Sequence, residues 1–298
     1  TAPPNHTAAT PIAPQAKPGR SRYHPGAPTG RASTATRSSG PESTAVSPRA
    51  TQVPGAGVTP GWMLATARRP PTRRNTHSGV TQASTLPAAV TKSKREIPHY
   101  YLWTHVDMRR ATEWLEGRNA RRAMEERILP AALQLRATAL ALRAFPEMNG
   151  FWIDGAFRPG EGIHPGVAVF LSGGGLVAPA ILDADRKDLD TLMGELRDLV
   201  QRARAGGLRG AEMTQATITI TNLGDRGVEG VLGVIHPPQV AIVGFGRIAE
   251  RPWAEGGMVG VRPVVELTLA ADHRASDGHR GSLFLEKIAD LLQKPEEL

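Results

Sequence analysis

Thirteen of the 25 prolines fall within the first 85 residues, and that skew decides which part of the chain can fold. The same stretch holds only two aromatic residues, Tyr23 and Trp62, in mixtures of Ala, Ser, Thr, Gly and Arg without helix or strand periodicity. Such a segment buries too little apolar surface to offset the entropy lost on ordering. Residues 1–85 are therefore expected to form a disordered tail or linker, and residues 86–298 a folded domain. GC-rich codons yield the same composition in almost any frame, so a function for the tail is left open. The remaining 213 residues suit one sizeable α/β domain.

The formal net charge of +8 divides unevenly. Residues 1–85 carry ten Lys and Arg against the single acid Glu42, whereas residues 86–298 carry 26 bases and 27 acids. The basicity belongs to the tail, which lacks the interleaved aromatics and the groove-entering helix of a nucleic-acid binder, so no nucleic-acid partner is expected. The absence of cysteine excludes a disulfide framework, a thiolate zinc site and a cysteine nucleophile. Nine histidines without an HExxH motif give no reason to expect a metal. No run approaches 18 apolar residues, so no membrane association is expected. The expected location is cytoplasmic, with the mitochondrial matrix as the alternative because the start is rich in Arg and Ser and poor in acids.

From Leu86 onward, periodicity appears. Tyr100, Tyr101, Trp103 and Val106 predict a strand between Ile97 and Val106, and a helix is expected over residues 108–117. Pro130 suits a first helical turn, and Ala131 to Phe145, apolar nearly all round, reads as a buried helix that stops at Pro146. Gly166 to Leu171 and Leu176 to Leu182 read as strands joined by a glycine-rich turn. Leu189, Leu192, Met193, Leu196, Leu199 and Val200 recur at three- and four-residue steps, marking an amphipathic helix that Gly206 and Gly207 end. Ala216 to Asn222 alternates, with Ala216, Ile218 and Ile220 on one face and Thr217, Thr219 and Thr221 on the other. Val240 to Phe245 and Val264 to Ala270 add strands, and a helix over residues 278–293 closes the chain. The expected class is α/β, more narrowly a two-layer α+β fold in which helices cover one face of a mixed sheet.

The segment Ala271-Asp-His-Arg-Ala-Ser-Asp-Gly278 joins the last strand to the last helix. A histidine there can be held firmly by the strand behind it, while Ser276 and Asp277 can cap the following helix. His273 and Asp277 are four positions apart, close enough for the carboxylate to help fix the imidazole directly or through a neighbour. Residue type and place alone leave His273 open between a structural role and general-base chemistry. Gly244-Phe-Gly246-Arg-Ile-Ala249 superficially fits a dinucleotide-binding turn, but Pro252 arrives too soon for the helix that should receive a pyrophosphate.

The run DHRASDG matches the His-x-x-x-Asp-Gly signature of the dihydrolipoamide acyltransferases. SKREIPHYYL at 93–102, LVAPAILDADR at 176–186, ITITNLG at 218–224 and HPPQVAIVGFG at 236–246 stand in that family's order, with an acidic, leucine-rich C-terminal helix after them. Over residues 90–298 the chain thus resembles the catalytic domain of the 2-oxoacid dehydrogenase acyltransferases, whose fold is like that of chloramphenicol acetyltransferase. The resemblance implies an enzyme that moves an acyl group between dihydrolipoamide and coenzyme A, with coenzyme A as a substrate. It makes His273 the general base, Asp277 the residue that fixes its surroundings, and Thr221 the oxyanion donor where the family usually has serine. It also implies a homotrimer, its sites shared between subunits, that works with a 2-oxoacid decarboxylase and a lipoyl-bearing protein; further assembly into a cage is left open.

Two features depart from the family. No lipoyl domain and no peripheral-subunit-binding module is recognisable, so the lipoyl group is expected from another polypeptide or a missing domain. Two alternatives stand beside the leading reading: a coenzyme A-dependent O-acyltransferase of the same fold, and a non-enzymatic assembly core. The identity of the acyl group is not legible.

Overall fold

The computed structural model describes residues 85–171, 174–224 and 227–298, and the expected tail, apart from Thr85, lies outside them. Helix α1 (Thr85–Glu96) gives way at Pro98 to strand β1 (His99–Asp107). Helix α2 (Arg109–Asn119) follows, then α3 (Pro130–Leu142), with Pro130 in the first turn, where a missing N–H is tolerated. Strands β2 (Gly150–Ile153) and β3 (Ala156–Pro159) form a hairpin. Its turn, Asp154-Gly155, has positive φ at both residues, as a two-residue hairpin turn of the primed type requires.

Next come β4 (Pro165–Val167) and a short pair, β5 (Val169–Phe170) and β6 (Leu176–Val177). Helix α4 (Leu189–Ala205) starts where the Asp188 carboxylate accepts the Thr191 amide at 2.7 Å and stops at Gly206 with φ of 76°. The short helix α5 (Gly210–Thr214) leads to β7 (Ile218–Asn222), β8 (Ala241–Phe245), β9 (Ala249–Glu255), the long β10 (Met258–Asp272) and finally α6 (Gly278–Leu292).

The main sheet runs β1-β10-β8-β7-β4, with β9 also paired to β10. The β1–β10 and β10–β8 pairs are antiparallel, and the β8–β7 and β7–β4 pairs are parallel, so the sheet is mixed as expected. Side chains alternate along a strand. Val265, Leu267, Leu269 and Ala271 of β10, with Val243 and Phe245 of β8 and Ile218 and Ile220 of β7, enter one core with residues of α2, α3, α4 and α6. Fully burying Phe284 of α6 in this layer contributes roughly 2–3 kcal/mol relative to leaving it exposed. A smaller cluster of Ile97, Ile235, Ile242 and Ala270 covers part of the opposite face. Helix α6 can approach β1 because position 281 is glycine: a Cβ there would lie 2.8 Å from both Leu102 Cδ1 and the Tyr100 hydroxyl.

Several boundaries differ from the sequence reading. The strand expected over Leu176 to Leu182 shrinks to Leu176–Val177, after which Ala180 makes only an isolated bridge to Gly166. The strand expected from Val264 begins at Met258, because β9 gives its first half a partner. The glycine-rich stretch at Gly244 runs into β9 rather than a helix. Strand β7 is buried on both faces from Ile218 to Ile220, the threonine face included. Thr217 and Thr219 turn to polar partners inside the protein.

Candidate active site

His273 leaves the end of β10 on a backbone fixed from several sides. Its amide donates to the Pro98 carbonyl at 3.0 Å, next to the start of β1, while the Asp272 amide donates to Val240 O at 2.8 Å. The Asp272 side chain is fully buried and takes a bidentate grip on Arg274, with Nε to Oδ1 at 2.9 Å and Nη2 to Oδ2 at 2.6 Å. The Arg274 guanidinium also stacks on the Trp152 ring of β2, 4.7 Å from its centroid. The hydrogen bonds that Arg274 donates to Asp272 raise its pKa above the usual arginine value. A buried carboxylate is costly unless paired and hydrogen-bonded, so this grip locks the residues on either side of His273.

The imidazole itself is exposed and meets the Tyr100 ring edge-on, with centroids 5.3 Å apart. Tyr100 is held in turn by a 2.8 Å hydrogen bond between its hydroxyl and that of Ser276. Burial pushes the Tyr100 phenol upward. Asp277 makes no hydrogen bond to His273 among the described residues. Its carboxylate caps α6 by accepting the Arg280 amide at 2.9 Å. That bond, helped by the His279 amide and the nearby histidines, holds Asp277 below the usual carboxylate range. Of the two capping candidates, Asp277 caps the helix and Ser276 serves Tyr100.

His273, Arg274, Ser276, Asp277 and Arg280, together with Glu147, line an open cleft of about 490 Å³. Arg280 bonds Glu147 at 2.5 Å and lies over the Phe145 ring. The cleft therefore has an imidazole at its wall and two guanidinium groups beside it. Among the described residues no group of three or more His, Cys, Asp or Glu could hold a metal ion.

Thr221 is elsewhere. It pairs with Gly244 of β8, which pairs with Thr268 of β10, five residues before His273. At about 3.3 Å per residue and about 4.8 Å per strand, Thr221 and His273 of one chain are roughly 19 Å apart. Thr221 also differs from its neighbours on the same face. Thr217 donates its hydroxyl hydrogen to Asn149 Oδ1 and Thr219 donates to Gln239 Oε1, both at 2.6 Å. The Thr221 hydroxyl has no hydrogen-bond partner among the described residues.

The structure thus brings His273 and Asp277 together and leaves Thr221 at the other end of the sheet. Three supports do not emerge from the sequence reading. These are the Asp272–Arg274 grip, the Tyr100–Ser276 bond, and Gln134, a buried amide of α3 that accepts from the side chain of Asn222. The Asp-His-Arg triplet at a strand end and the lone amide in an apolar helix are the available signals.

Residues 72–298 match the family described as 2-oxoacid dehydrogenases acyltransferase (catalytic domain). The chain is 32% identical over 222 residues to the dihydrolipoyllysine-residue acetyltransferase component of the mitochondrial pyruvate dehydrogenase complex of Caenorhabditis elegans, a match covering 72% of this chain and 43% of that protein. It spans about half the length of the curated relatives it matches. The crystal structure of a probable dihydrolipoamide acetyltransferase from Listeria monocytogenes is similar with a TM-score of 0.67 and 28% identity, over 75% of this chain and 95% of that one. A structure of the Azotobacter vinelandii dihydrolipoamide acetyltransferase gives a TM-score of 0.66 and 25% identity, over 76% and 97%. Together with the His273 loop at the end of a mixed sheet, these matches place the chain in the family of 2-oxoacid dehydrogenase acyltransferases, as their catalytic domain.

Proposed function

We propose that this chain transfers an acyl group between dihydrolipoamide and coenzyme A, with His273 as general base, Thr221 of a neighbouring subunit as oxyanion donor and Asp277 as the residue that orders the base's loop. The observation that carries this reading is an exposed histidine anchored at every backbone neighbour. A thiol near its solution pKa is mostly protonated at neutral pH. His273 takes the proton from the coenzyme A thiol, and the thiolate attacks the thioester carbon of acyl-dihydrolipoamide. The negative charge moves to the carbonyl oxygen, where the Thr221 hydroxyl donates. Collapse of the tetrahedral species expels the dihydrolipoamide thiolate, which recovers the proton from His273.

The Azotobacter relative supports the residue assignment. In that enzyme a serine, a histidine and an asparagine have been investigated for their role in the catalytic mechanism, the serine 52 positions before the histidine and the asparagine four after. Thr221, His273 and Asp277 have the same spacing. Thr221 retains the hydroxyl donor and adds a methyl group that restricts χ1, and Asp277 adds a charge.

A spacing of roughly 19 Å within one chain cannot serve one carbonyl, so the site needs a second subunit, and a closed trimer is the assembly proposed. The partners are a 2-oxoacid decarboxylase and a protein that carries the lipoyl arm, with residues 1–85 as a linker. The location proposed is cytoplasmic; among the described residues no helix is long and apolar enough to cross a membrane, and the relatives include mitochondrial and bacterial proteins. Because these relatives are named acetyltransferases, acetyl is the acyl group to test first. Purified chain given acetyl-CoA and free dihydrolipoamide is expected to form S-acetyl-dihydrolipoamide. No turnover by well-folded, oligomeric protein would reject the assignment.

A further inference from the structure

The side chain of Gln134 is an amide in a helix whose other buried residues, apart from Thr138, are apolar. Gln134 is 2% exposed, in the middle of α3 among Leu133, Leu135 and Ala137. Its Oε1 accepts a hydrogen bond from Asn222 Nδ2 on β7. Burying an amide costs free energy unless it is bonded, and an apolar pair of similar shape would hold a helix to a strand about as well. What the amide pair adds is direction, because only one alignment of the strand end satisfies it.

That strand end carries the hydroxyl assigned above. Asn222 is the last residue of β7 and lies on the helix side of the sheet, directly after Thr221, which points to the other side. The two polar ends of the Asn222 side chain are both held: Nδ2 reaches the Gln134 side chain, and Oδ1 accepts the Gly224 amide at 2.8 Å. The Leu223 amide adds a bond to Phe245 O at 3.1 Å. Thr221 itself is anchored on β8 through Gly244. The Gln134 bond therefore ties the end of the strand to the helical layer at the point where regular pairing stops.

We propose that Gln134 is a positioning residue: through Asn222 it fixes the strand end so that the Thr221 hydroxyl is aimed at the oxyanion. This rests on the reading of Thr221 as the oxyanion donor. A donor of that kind is useful only where it meets the developing charge, and a misplacement of about 1 Å can cost on the order of a hundredfold in rate. Loss of one tether that acts through a neighbour is expected to cost less.

The test is a double-mutant cycle on the full chain, with acetyl-CoA and dihydrolipoamide as substrates. Gln134→Met, close in shape and without the acceptor, is expected to lower kcat about tenfold. Both KM values should stay within about twofold, because neither substrate touches Gln134, and the oligomer and melting temperature should be retained. In the Thr221→Val background the same substitution should produce no further loss, since the donor it aims is already gone. A tenfold loss in both backgrounds would overturn the proposal in favour of a general structural role, and parental kcat in Gln134→Met would overturn it outright. Gln134→Leu serves as the second variant; failure of both to fold would assign Gln134 to the core and equally overturn the proposal. Parental turnover in Thr221→Val alone would instead remove the oxyanion assignment, which keeps the two failures distinct.

Discussion

Three neighbours place the His273 ring: Tyr100 against its edge, Pro98 under its amide, and the Asp272–Arg274 pair on either side. The backbone anchors do not depend on the imidazole, and Tyr100 keeps its bond to Ser276, so removal of the ring should leave the loop intact. His273→Ala is expected to lower the acyl-transfer rate at least about a hundredfold with an unchanged melting temperature; activity equal to the parent would take His273 out of the mechanism. The oxyanion role separates cleanly by isostere. Thr221→Ser should stay active, whereas Thr221→Val keeps the shape, loses the donor and should lose most turnover, as steady-state assays would show. Asp277 combines two roles, a helix cap and a negative charge beside the histidine. Asn is also a good cap, so Asp277→Asn should keep the parental melting temperature and report the charge through activity alone, while Asp277→Ala should melt lower as well. Equal melting curves for the two variants would show that the cap does not stabilise α6.

At the scale of elements, the join between α1, β1 and the segment before β8 depends on a neutral histidine. His99 Nδ1 lies 2.8 Å from Ile97 O, and its Nε2 accepts the Ile235 amide at 3.2 Å, an arrangement that protonation of Nε2 would break. Burial is the largest effect on His99 and pushes its pKa down, against an upward effect of the Ile97 carbonyl and smaller contributions from Lys94, downward, and Asp272, upward; burial pushes His236 down as well. A folded pKa below the unfolded 6.5 means that the unfolded chain binds the proton first. The stabilisation is thus complete above about pH 6.5 and is lost as pH falls through the lowered folded value. Melting curves should show the midpoint falling over that range, and His99→Gln, which retains an acceptor for Ile235, should flatten the dependence; an unchanged slope would assign it to other groups. Elements with strong periodicity were legible in the sequence: α4 from its leucine stripe, α6 from Phe284 and Ile288, and β8 from a short apolar run. Strand β9 was not, because Ala249 to Glu255 has no apolar alternation and Pro252 argues against a central strand; it forms as a partner to β10. The β2–β3 hairpin is missed although Asp154-Gly155 signals its turn, because its flanking strands are too short to show alternation. Ala178 to Leu182 fails as a strand because composition does not supply a neighbour to pair with. At the site, His273 and Asp277 were legible as a junction motif. The grip of Asp272 on Arg274 was not, since burial of that carboxylate depends on how the sheet is covered.

At the scale of the whole molecule, the sheet separates the two halves of the proposed chemistry. The His273 loop lies at the end where β1 and β8 begin, and Thr221 lies near the end where β7 and β8 finish. No rotation of side chains closes roughly 19 Å, so on the proposed mechanism each complete site must draw its histidine from one subunit and its hydroxyl from another. A closed ring satisfies this for every subunit at once, because each copy presents its histidine to one neighbour and its threonine to the next. The monomer should then be inactive and the trimer the smallest active unit, as sizing chromatography with activity measured across the peak would show. Complementation tests the shared site directly. His273→Ala and Thr221→Val proteins are each expected to be inactive, but after subunit exchange some interfaces pair an intact histidine with an intact threonine. Random mixing of equal amounts makes that pairing at about one interface in four, so about a quarter of parental activity is the expected ceiling. Recovery should follow exchange in time and disappear when the trimers are cross-linked before mixing. No recovery despite demonstrated exchange, or full activity in a verified monomer, would mean that histidine and hydroxyl do not meet across an interface in this protein.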